Sequence, residues 1–114
     1  METEYLEKRR FKRVRYQEPV HYQFKEQGKF GGCLASDLSE GGIKISMNDF
    51  VPLHTEIAMR LKLQDVPHVV DLTGRVAWVQ QVPYSDRYRA GVEFVNESSN
   101  AREGIQSYVR SRRF

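Results

Sequence analysis

Apolar side chains recur at every second position between Ile57 and Leu63, with Arg60 and Lys62 between them. A period of two is typical of a β-strand with one buried face. Five further segments carry strand patterns and are separated by turn residues: Val20–Phe24, Phe30–Ala35, Ile43–Met47, Val69–Val79 and Tyr88–Phe94. The chain is therefore predicted to consist mainly of six short strands.

The period changes near the C-terminus. Ala101, Ile105, Tyr108 and Val109 fall at i, i+4, i+7 and i+8, which predicts an amphipathic helix that Asn100 could cap. Six short strands at regular spacing favour a barrel, because closure removes exposed strand edges. The predicted fold is all-β dominated: a small six-stranded antiparallel β-barrel with a C-terminal α-helix and a flexible basic N-terminal arm.

The length of the chain, 114 residues, fits one domain with one modest core. No apolar run approaches the roughly 20 residues that a membrane-spanning helix needs. Residues 1–7 lack the cationic and then apolar layout of a signal peptide, so we expect a cytoplasmic protein. Cys33 is the only cysteine, and we expect it to pack as a small apolar residue.

Positive charge is concentrated in the segment Lys8–Arg15, which holds six cations in eight residues. Without them the chain has 12 basic and 15 acidic residues. This distribution suits a small anionic ligand or an acidic partner better than a long nucleic acid. We assign residues 1–15 to a flexible arm and residues 16–114 to the barrel with its helix.

A polar bend, Asp37–Gly42, separates the second and third predicted strands. Asp and Ser often hydrogen-bond their own backbone in such bends, and paired glycines relax the backbone, so a structural turn explains the segment. A second interpretation is a ligand site. A carboxylate such as Asp37 could accept hydrogen bonds from guanine N1–H and N2–H, while arginines could bind phosphate oxygens or the O6/N7 edge of guanine.

The spacing Arg9-x-x-x-Arg13, followed by Asp37-x-Ser39-x-x-Gly42, resembles the paired motifs of PilZ domains, which are bacterial receptors for the second messenger cyclic di-GMP. The resemblance covers roughly residues 7–110 and includes two later segments that look like strands of that family: Gly74–Trp78 and Ala90–Phe94. A proline more often stands at the position of Lys12 in the family.

The resemblance implies a role for each motif residue. Arg9 and Arg13 would contact guanines and phosphates of cyclic di-GMP, Asp37 and Ser39 would bind a guanine edge, and Gly42 would let the ligand approach the backbone. The neighbouring residues are secondary candidates: Lys8, Arg10, Gly41 and Lys44. We hypothesise a switch in which the ligand folds the arm onto the barrel and so presents a new surface to an unidentified protein partner.

Other functions receive less support. The three histidines, His21, His54 and His68, are scattered without the spacing of a metal site, and no nucleophile, Walker or dinucleotide motif is present, so neither an enzyme, a metal nor a cofactor is expected. Trp78 alternates in phase with Val76, which predicts a core or half-core position rather than a stacking platform. A nucleic-acid-binding barrel and a PilZ-like protein adaptor without ligand remain alternatives.

Overall fold

A computed structural model describes residues 13–24, 30–63 and 69–111. These residues form seven strands and one helix: β1 (Val14–Arg15), β2 (Pro19–Phe24), β3 (Phe30–Leu38), β4 (Gly42–Met47), β5 (Glu56–Lys62), β6 (Val69–Gln81), β7 (Tyr88–Glu97) and α1 (Ser99–Ser111). The six predicted strands are all present, and the predicted helix is α1.

Six of the strands close into a ring. The order is β3-β2-β5-β6-β7-β4, every pairing is antiparallel, and β4 pairs with β3 to complete the barrel. The predicted six-stranded barrel with a C-terminal helix is confirmed. β1 is an addition to the prediction, because Val14 and Arg15, which the sequence assigns to the flexible arm, pair with Leu38 and Asp37 of β3.

The barrel interior is filled by the apolar positions of the alternating strands. In β5, the side chains of Ile57, Met59 and Leu61 are buried whereas those of Arg60 and Lys62 are exposed, as predicted. Each fully buried aliphatic side chain contributes about 1.5–3 kcal/mol relative to an exposed one. The core therefore holds the strands in register and leaves the polar positions on the outer face.

Helix α1 packs one face against β6 and β7. The buried side of this helix consists of Ala101, Gly104, Ile105, Tyr108 and Val109. Its cap differs from the sequence-based prediction, because the hydroxyl of Ser98, not the side chain of Asn100, accepts a hydrogen bond from the Ala101 N–H at 3.1 Å. The helix begins one residue earlier than Asn100, which places Asn100 inside the first turn.

Tyr16 joins the end of the arm to the barrel and to α1. Its side chain is buried, its hydroxyl donates a hydrogen bond to the Lys62 carbonyl at 2.8 Å, and its ring meets that of Tyr108 edge to face at 5.7 Å. Val14, two residues earlier, is also buried. These contacts hold the segment from Arg13 onward against the barrel. Within the described residues, α1 is too short and too polar to cross a membrane.

Candidate functional site

The turn between β3 and β4 is built around Ser39. Its backbone N–H donates to the Gly42 carbonyl at 2.9 Å, and its buried hydroxyl oxygen accepts from the N–H groups of Gly41 and Gly42, each at 3.2 Å. The Gly41 carbonyl in turn accepts from the Phe94 N–H of β7 at 2.9 Å. Ser39 thus has a structural role in shaping the turn, as the first interpretation of the bend supposed.

Gly42 is the first residue of β4 and lies directly against β7. A Cβ atom at this position would collide with the carbonyl oxygen of Val92 and would lie 3.4 Å from the Cα of Glu93. Because both obstacles are backbone atoms, a side chain here would force the two strands apart. The packing of β4 on β7 is therefore a sufficient reason for glycine at this position.

Asp37 lies in strand β3 and not in the bend, because β3 continues to Leu38 and only residues 39–41 form the turn. Ala35 pairs with Ile45 and Asp37 pairs with Lys44, so Ser36 is an extra residue in the ladder. This β-bulge shifts the alternation by one residue. The Asp37 side chain is consequently half-buried on the outer face, whereas strict alternation would have directed it into the core with Ala35.

A glycine inside a strand often marks a bulge, but β3 has no irregularity at Gly31 or Gly32. Those two glycines pair in regular register with Tyr22 and His21 of β2, and the irregularity of β3 falls at Ser36 instead. The register of β3 depends on both of its neighbours. Residues 30–34 of β3 pair with β2, residues 34–38 pair with β4, and the bulge lies in the part that pairs with β4. A single strand segment does not contain that information.

Asp37 is the centre of a charge cluster. Its carboxylate accepts a hydrogen bond from Arg13 Nη1 at 2.9 Å and lies 3.5 Å from Lys44 Nζ. The side chains of Arg13, Lys44 and Asp37 are 43%, 36% and 21% exposed, so all three are accessible at the surface. One arginine of the first motif and the carboxylate of the second are thus in direct contact, although 24 residues separate them along the chain.

Trp78 extends this cluster across the outer face of the barrel. Asp37, Lys44, Gly91 and Trp78 are successive cross-strand partners on β3, β4, β7 and β6. The indole lies against the backbone of Gly91, where an added Cβ would collide with the ring, and the residue is 39% exposed. Trp78 is therefore not a core residue in phase with Val76, although its packing on Gly91 covers part of the indole, as a half-core position would.

The reason for this position is a second bulge. Val76 pairs with Val92 and Trp78 pairs with Gly91, which leaves Ala77 as an extra residue and moves Trp78 to the opposite face from the buried Val76. Sequence reasoning missed Trp78 as a site residue, yet one signal was available: an isolated glycine in a strand, Gly91, indicates that another group approaches the backbone closely.

The remaining predicted site residues are distributed as follows. Gly41 lies in the turn beside Ser39, and Lys44 lies next to Asp37. Lys8, Arg9 and Arg10 lie outside the described residues, as does most of the predicted arm. The arrangement that is described joins a carboxylate acceptor, two cations and an exposed aromatic face, which suits a planar, anionic ligand with N–H donors.

Metal-binding side chains do not cluster in the described part of the chain. No group of three or more His, Cys, Asp or Glu residues is placed there so that it could hold a metal ion. Cys33 is buried, and burial raises the pKa of its thiol to about 12, so it is a protonated apolar side chain at neutral pH. It packs in the core, as the sequence predicted.

Comparison with known proteins identifies the family to which the chain belongs. The family model of the PilZ domain matches residues 7–111 of the chain. The chain therefore belongs to the PilZ domain family, in agreement with the resemblance of its motifs.

A relative and two solved structures illustrate the relationship. An uncharacterized protein of Aquifex aeolicus is 31% identical over 111 residues, which cover 97% of this chain and 52% of the relative. The inhibitor of motility MotI/DgrA of Bacillus subtilis is similar with a TM-score of 0.77 at 17% identity, over 90% of this chain and 50% of that protein. The PilZ domain of YcgR from Escherichia coli, solved with c-di-GMP, is similar with a TM-score of 0.69 at 15% identity, over 90% of this chain and 89% of that domain. The chain spans about half the length of the Aquifex relative and of MotI.

Proposed function

We propose that this chain is a cytoplasmic receptor for cyclic di-GMP that acts on a separate protein partner. The observation that carries the proposal is the 2.9 Å contact between Arg13 and Asp37, which brings the two sequence motifs together at one accessible surface. Cyclic di-GMP combines two guanine bases with two anionic phosphates. The site offers a complementary group for each kind of moiety.

Each side chain of the cluster has a distinct task in the proposal. Asp37 accepts hydrogen bonds from guanine N1–H and N2–H, the donors that an arginine cannot serve. Arg13 has five N–H donors in a planar fork, and those not used by Asp37 bind a phosphate or the O6/N7 edge of a guanine. Lys44 adds a point charge that offsets the phosphates. The exposed face of Trp78 stacks on a base.

In this proposal, Ser39, Gly41 and Gly42 shape the backbone that carries Asp37 and Lys44. The hydroxyl of Ser39 is already bonded to two backbone N–H groups, so its main contribution is the shape of the turn that follows Asp37. Gly42 keeps β4 close to β7, which aligns Lys44 with Gly91 and Trp78. These residues act chiefly by positioning Asp37 and Lys44.

Two further arguments support the assignment. The chain belongs to the PilZ family, and YcgR, which has the same fold, was solved with c-di-GMP. The Arg13–Asp37 pair is also only partly buried, and pairs of this kind contribute about 0.2–1 kcal/mol to stability. Because the pair contributes so little to the stability of the fold, its side chains can rearrange around a ligand with a small loss of free energy.

The proposal includes the N-terminal arm. When cyclic di-GMP bridges Arg9 and Arg13 to Asp37, residues 1–12 become ordered over the site, with Lys8 and Arg10 next to the phosphates. Ordering these residues costs conformational entropy, which the charge-assisted hydrogen bonds must exceed. Amide hydrogen exchange in residues 1–12 should slow on saturation with ligand, and unchanged exchange would refute the arm switch while leaving the binding site itself intact.

Calorimetric titration tests the receptor assignment. Cyclic di-GMP should bind saturably, whereas GTP and a short single-stranded oligonucleotide should not, and the titration also yields the stoichiometry. Arg13→Ala should weaken binding by about 1–3 kcal/mol, as expected for the loss of a bidentate guanine contact. Asp37→Asn should weaken it as well, because an amide presents one acceptor oxygen where the carboxylate presents two.

Arg60→Ala is the matched control. Arg60 is an exposed arginine on β5 that forms a 2.8 Å ion pair with Asp71, its partner on β6, which precedes Trp78 by seven residues along that strand. Its removal lowers the net charge by the same amount as Arg13→Ala and should leave the affinity unchanged. Equal losses in both variants would indicate a nonspecific charge effect, and salt-sensitive binding of the oligonucleotide alone would favour the nucleic-acid alternative.

A further inference from the structure

The hairpin of β6 and β7 is longer than the strand beside it. Pairing between β5 and β6 ends at Glu56 and Arg75, while pairing between β6 and β7 continues to Gln81 and Tyr88. The connecting loop bonds β6 once more, through the His54 N–H to the Val76 carbonyl at 2.9 Å and the Val76 N–H to the Thr55 carbonyl at 3.0 Å. Beyond Val76, no strand among the described residues covers this side of β6.

The hydrogen-bond register between β6 and β7 shows which backbone N–H and C=O groups of β6 point away from β7. The Val82 N–H donates to the Arg87 carbonyl at 2.8 Å, so residues 82, 80 and 78 direct their backbone groups towards β7. Val79 and Gln81 therefore direct their N–H and C=O groups away from β7, to the side that β5 does not reach. Within residues 13–24, 30–63 and 69–111, no backbone group pairs with these four, which form an open ladder edge.

The edge lacks the charged side chains that often prevent strand edges from associating. Lysines and other charges on an edge strand are a common protection, yet Val76–Ser85 is the longest run without a charged residue in a chain of which 29% is charged. The other end of the described sheet contrasts with it, because β1 is flanked by Arg13 and carries Arg15, which would repel a second copy. Trp78 and Leu53, 39% and 49% exposed, add apolar surface beside the uncharged edge.

We propose that two copies of this chain associate through residues 77–81 of β6, pairing edge to edge and antiparallel about a two-fold axis. A pairing centred on Gln80 sets Val79 opposite Gln81 of the second copy, so that each of these pairs exchanges two backbone hydrogen bonds. In a two-fold interface the same residues of both copies face each other, and an uncharged edge can do so without electrostatic repulsion. The bulge at Ala77 and the proline at position 83 limit the paired length, so the dimer depends on protein concentration.

Cross-linking measures this geometry. At the axis, Gln80 faces Gln80 of the second copy as a non-hydrogen-bonded pair, whose Cα atoms are about 4.5 Å apart. That separation permits a disulfide. Under mild oxidation Gln80→Cys should therefore form a covalent dimer much faster than Arg89→Cys. Arg89 is the matched control, since it is the β7 partner of Gln80, is exposed, and lies one strand further from the axis in each copy.

Sedimentation equilibrium without any nucleotide gives the second readout. The unmodified chain should show a monomer–dimer equilibrium, and Gln80→Lys should weaken it at least tenfold because two ammonium groups would meet at the axis. Thermal melting of Gln80→Lys confirms that the variant folds. In the cross-linking experiment, the unmodified chain, whose one cysteine is the buried Cys33, measures the background rate of disulfide formation. A monomer up to the solubility limit would overturn the proposal. Equal cross-linking of the two cysteine variants, or a dimer indifferent to Gln80→Lys, would overturn it too. Because cyclic di-GMP is absent, these outcomes are independent of the proposed receptor function.

Discussion

Asp37 and Trp78 reach the outer face of the barrel for the same reason: one additional residue precedes each of them in its strand. Ser36 and Ala77 have no partners in their ladders, and the side chains that follow them change face. Glycine at position 91 then leaves room for the indole beside Lys44. At the scale of residues, the site therefore consists of a carboxylate, two cations and a ring brought to one surface by two bulges.

The role of Trp78 is directly testable because it is the only tryptophan of the chain. If the indole stacks on a guanine, titration with cyclic di-GMP should change the intrinsic tryptophan fluorescence. Trp78→Ala should weaken binding by about 1–3 kcal/mol, the usual cost of losing one stacked base, and Trp78→Phe should retain most of the affinity. Calorimetry on the two variants checks this, and equal affinities of Trp78→Ala and the unmodified chain would remove Trp78 from the site.

Gly42 and Gly32 form a pair of contrasting strand glycines. Gly42→Ala should destabilise the fold by about 1–3 kcal/mol, because the new methyl group meets the Val92 carbonyl and the strands must separate. Gly32→Ala should be neutral or stabilising, since the nearest atom to its Cβ, the Val20 carbonyl oxygen, is 3.9 Å away and alanine loses less entropy on folding than glycine. Urea unfolding of both variants measures the difference, and similar midpoints would contradict the steric argument.

At the scale of elements, α1 depends on its packing and on its cap. The helix buries one face on the barrel and has no acidic residue in its first turn, so the Ser98 hydroxyl is its main described N-terminal stabilisation. Tyr108, on the buried face, meets Tyr16, which follows β1. The helix therefore stabilises the segment that holds Arg13 near Asp37, so that loss of the helix should alter the geometry of the site.

The cap can be tested with two alanine substitutions in one turn. Ser98→Ala should lower the free energy of unfolding by about 1 kcal/mol, because the Ala101 N–H loses its acceptor. Asn100→Ala should change it by no more than about 0.5 kcal/mol, since Asn100 is exposed and lies within the first turn. Chemical denaturation followed by circular dichroism distinguishes the two, and a larger effect at Asn100 would restore the cap predicted from the sequence.

At the scale of the whole molecule, the closed barrel buries ionisable groups in their neutral forms. Desolvation raises the pKa of the Cys33 thiol to about 12, from an ordinary value of 9.0. The pKa of the Tyr16 phenol also rises to about 12, from 10.0, mainly through desolvation and further through the negative charge of Glu18. Both groups hold their protons more tightly in the folded chain than in the unfolded chain.

Alkaline pH should therefore destabilise the fold. Below about pH 9 both groups are protonated in either state and the stability is fully present, whereas from about pH 9 to about pH 12 the unfolded chain loses its protons first and the free energy of unfolding falls. Urea midpoints measured across this range should decline less steeply in a Tyr16→Phe, Cys33→Ala double variant. An identical slope in the double variant would show that other groups cause the decline.

The sequence by itself determined the six strands of the barrel, the alternation of the core positions, the C-terminal helix and the two family motifs, because these depend on periodicity and spacing along one segment at a time; the short strand β1 was not among them. Only the tertiary structure decided where Asp37 and Trp78 point. A bulge is a property of two strands in register, and neither strand alone specifies it. The contact between Arg13 and Asp37 likewise exists only once β1 pairs with β3, since tertiary folding brings together charges that lie 24 residues apart in the chain.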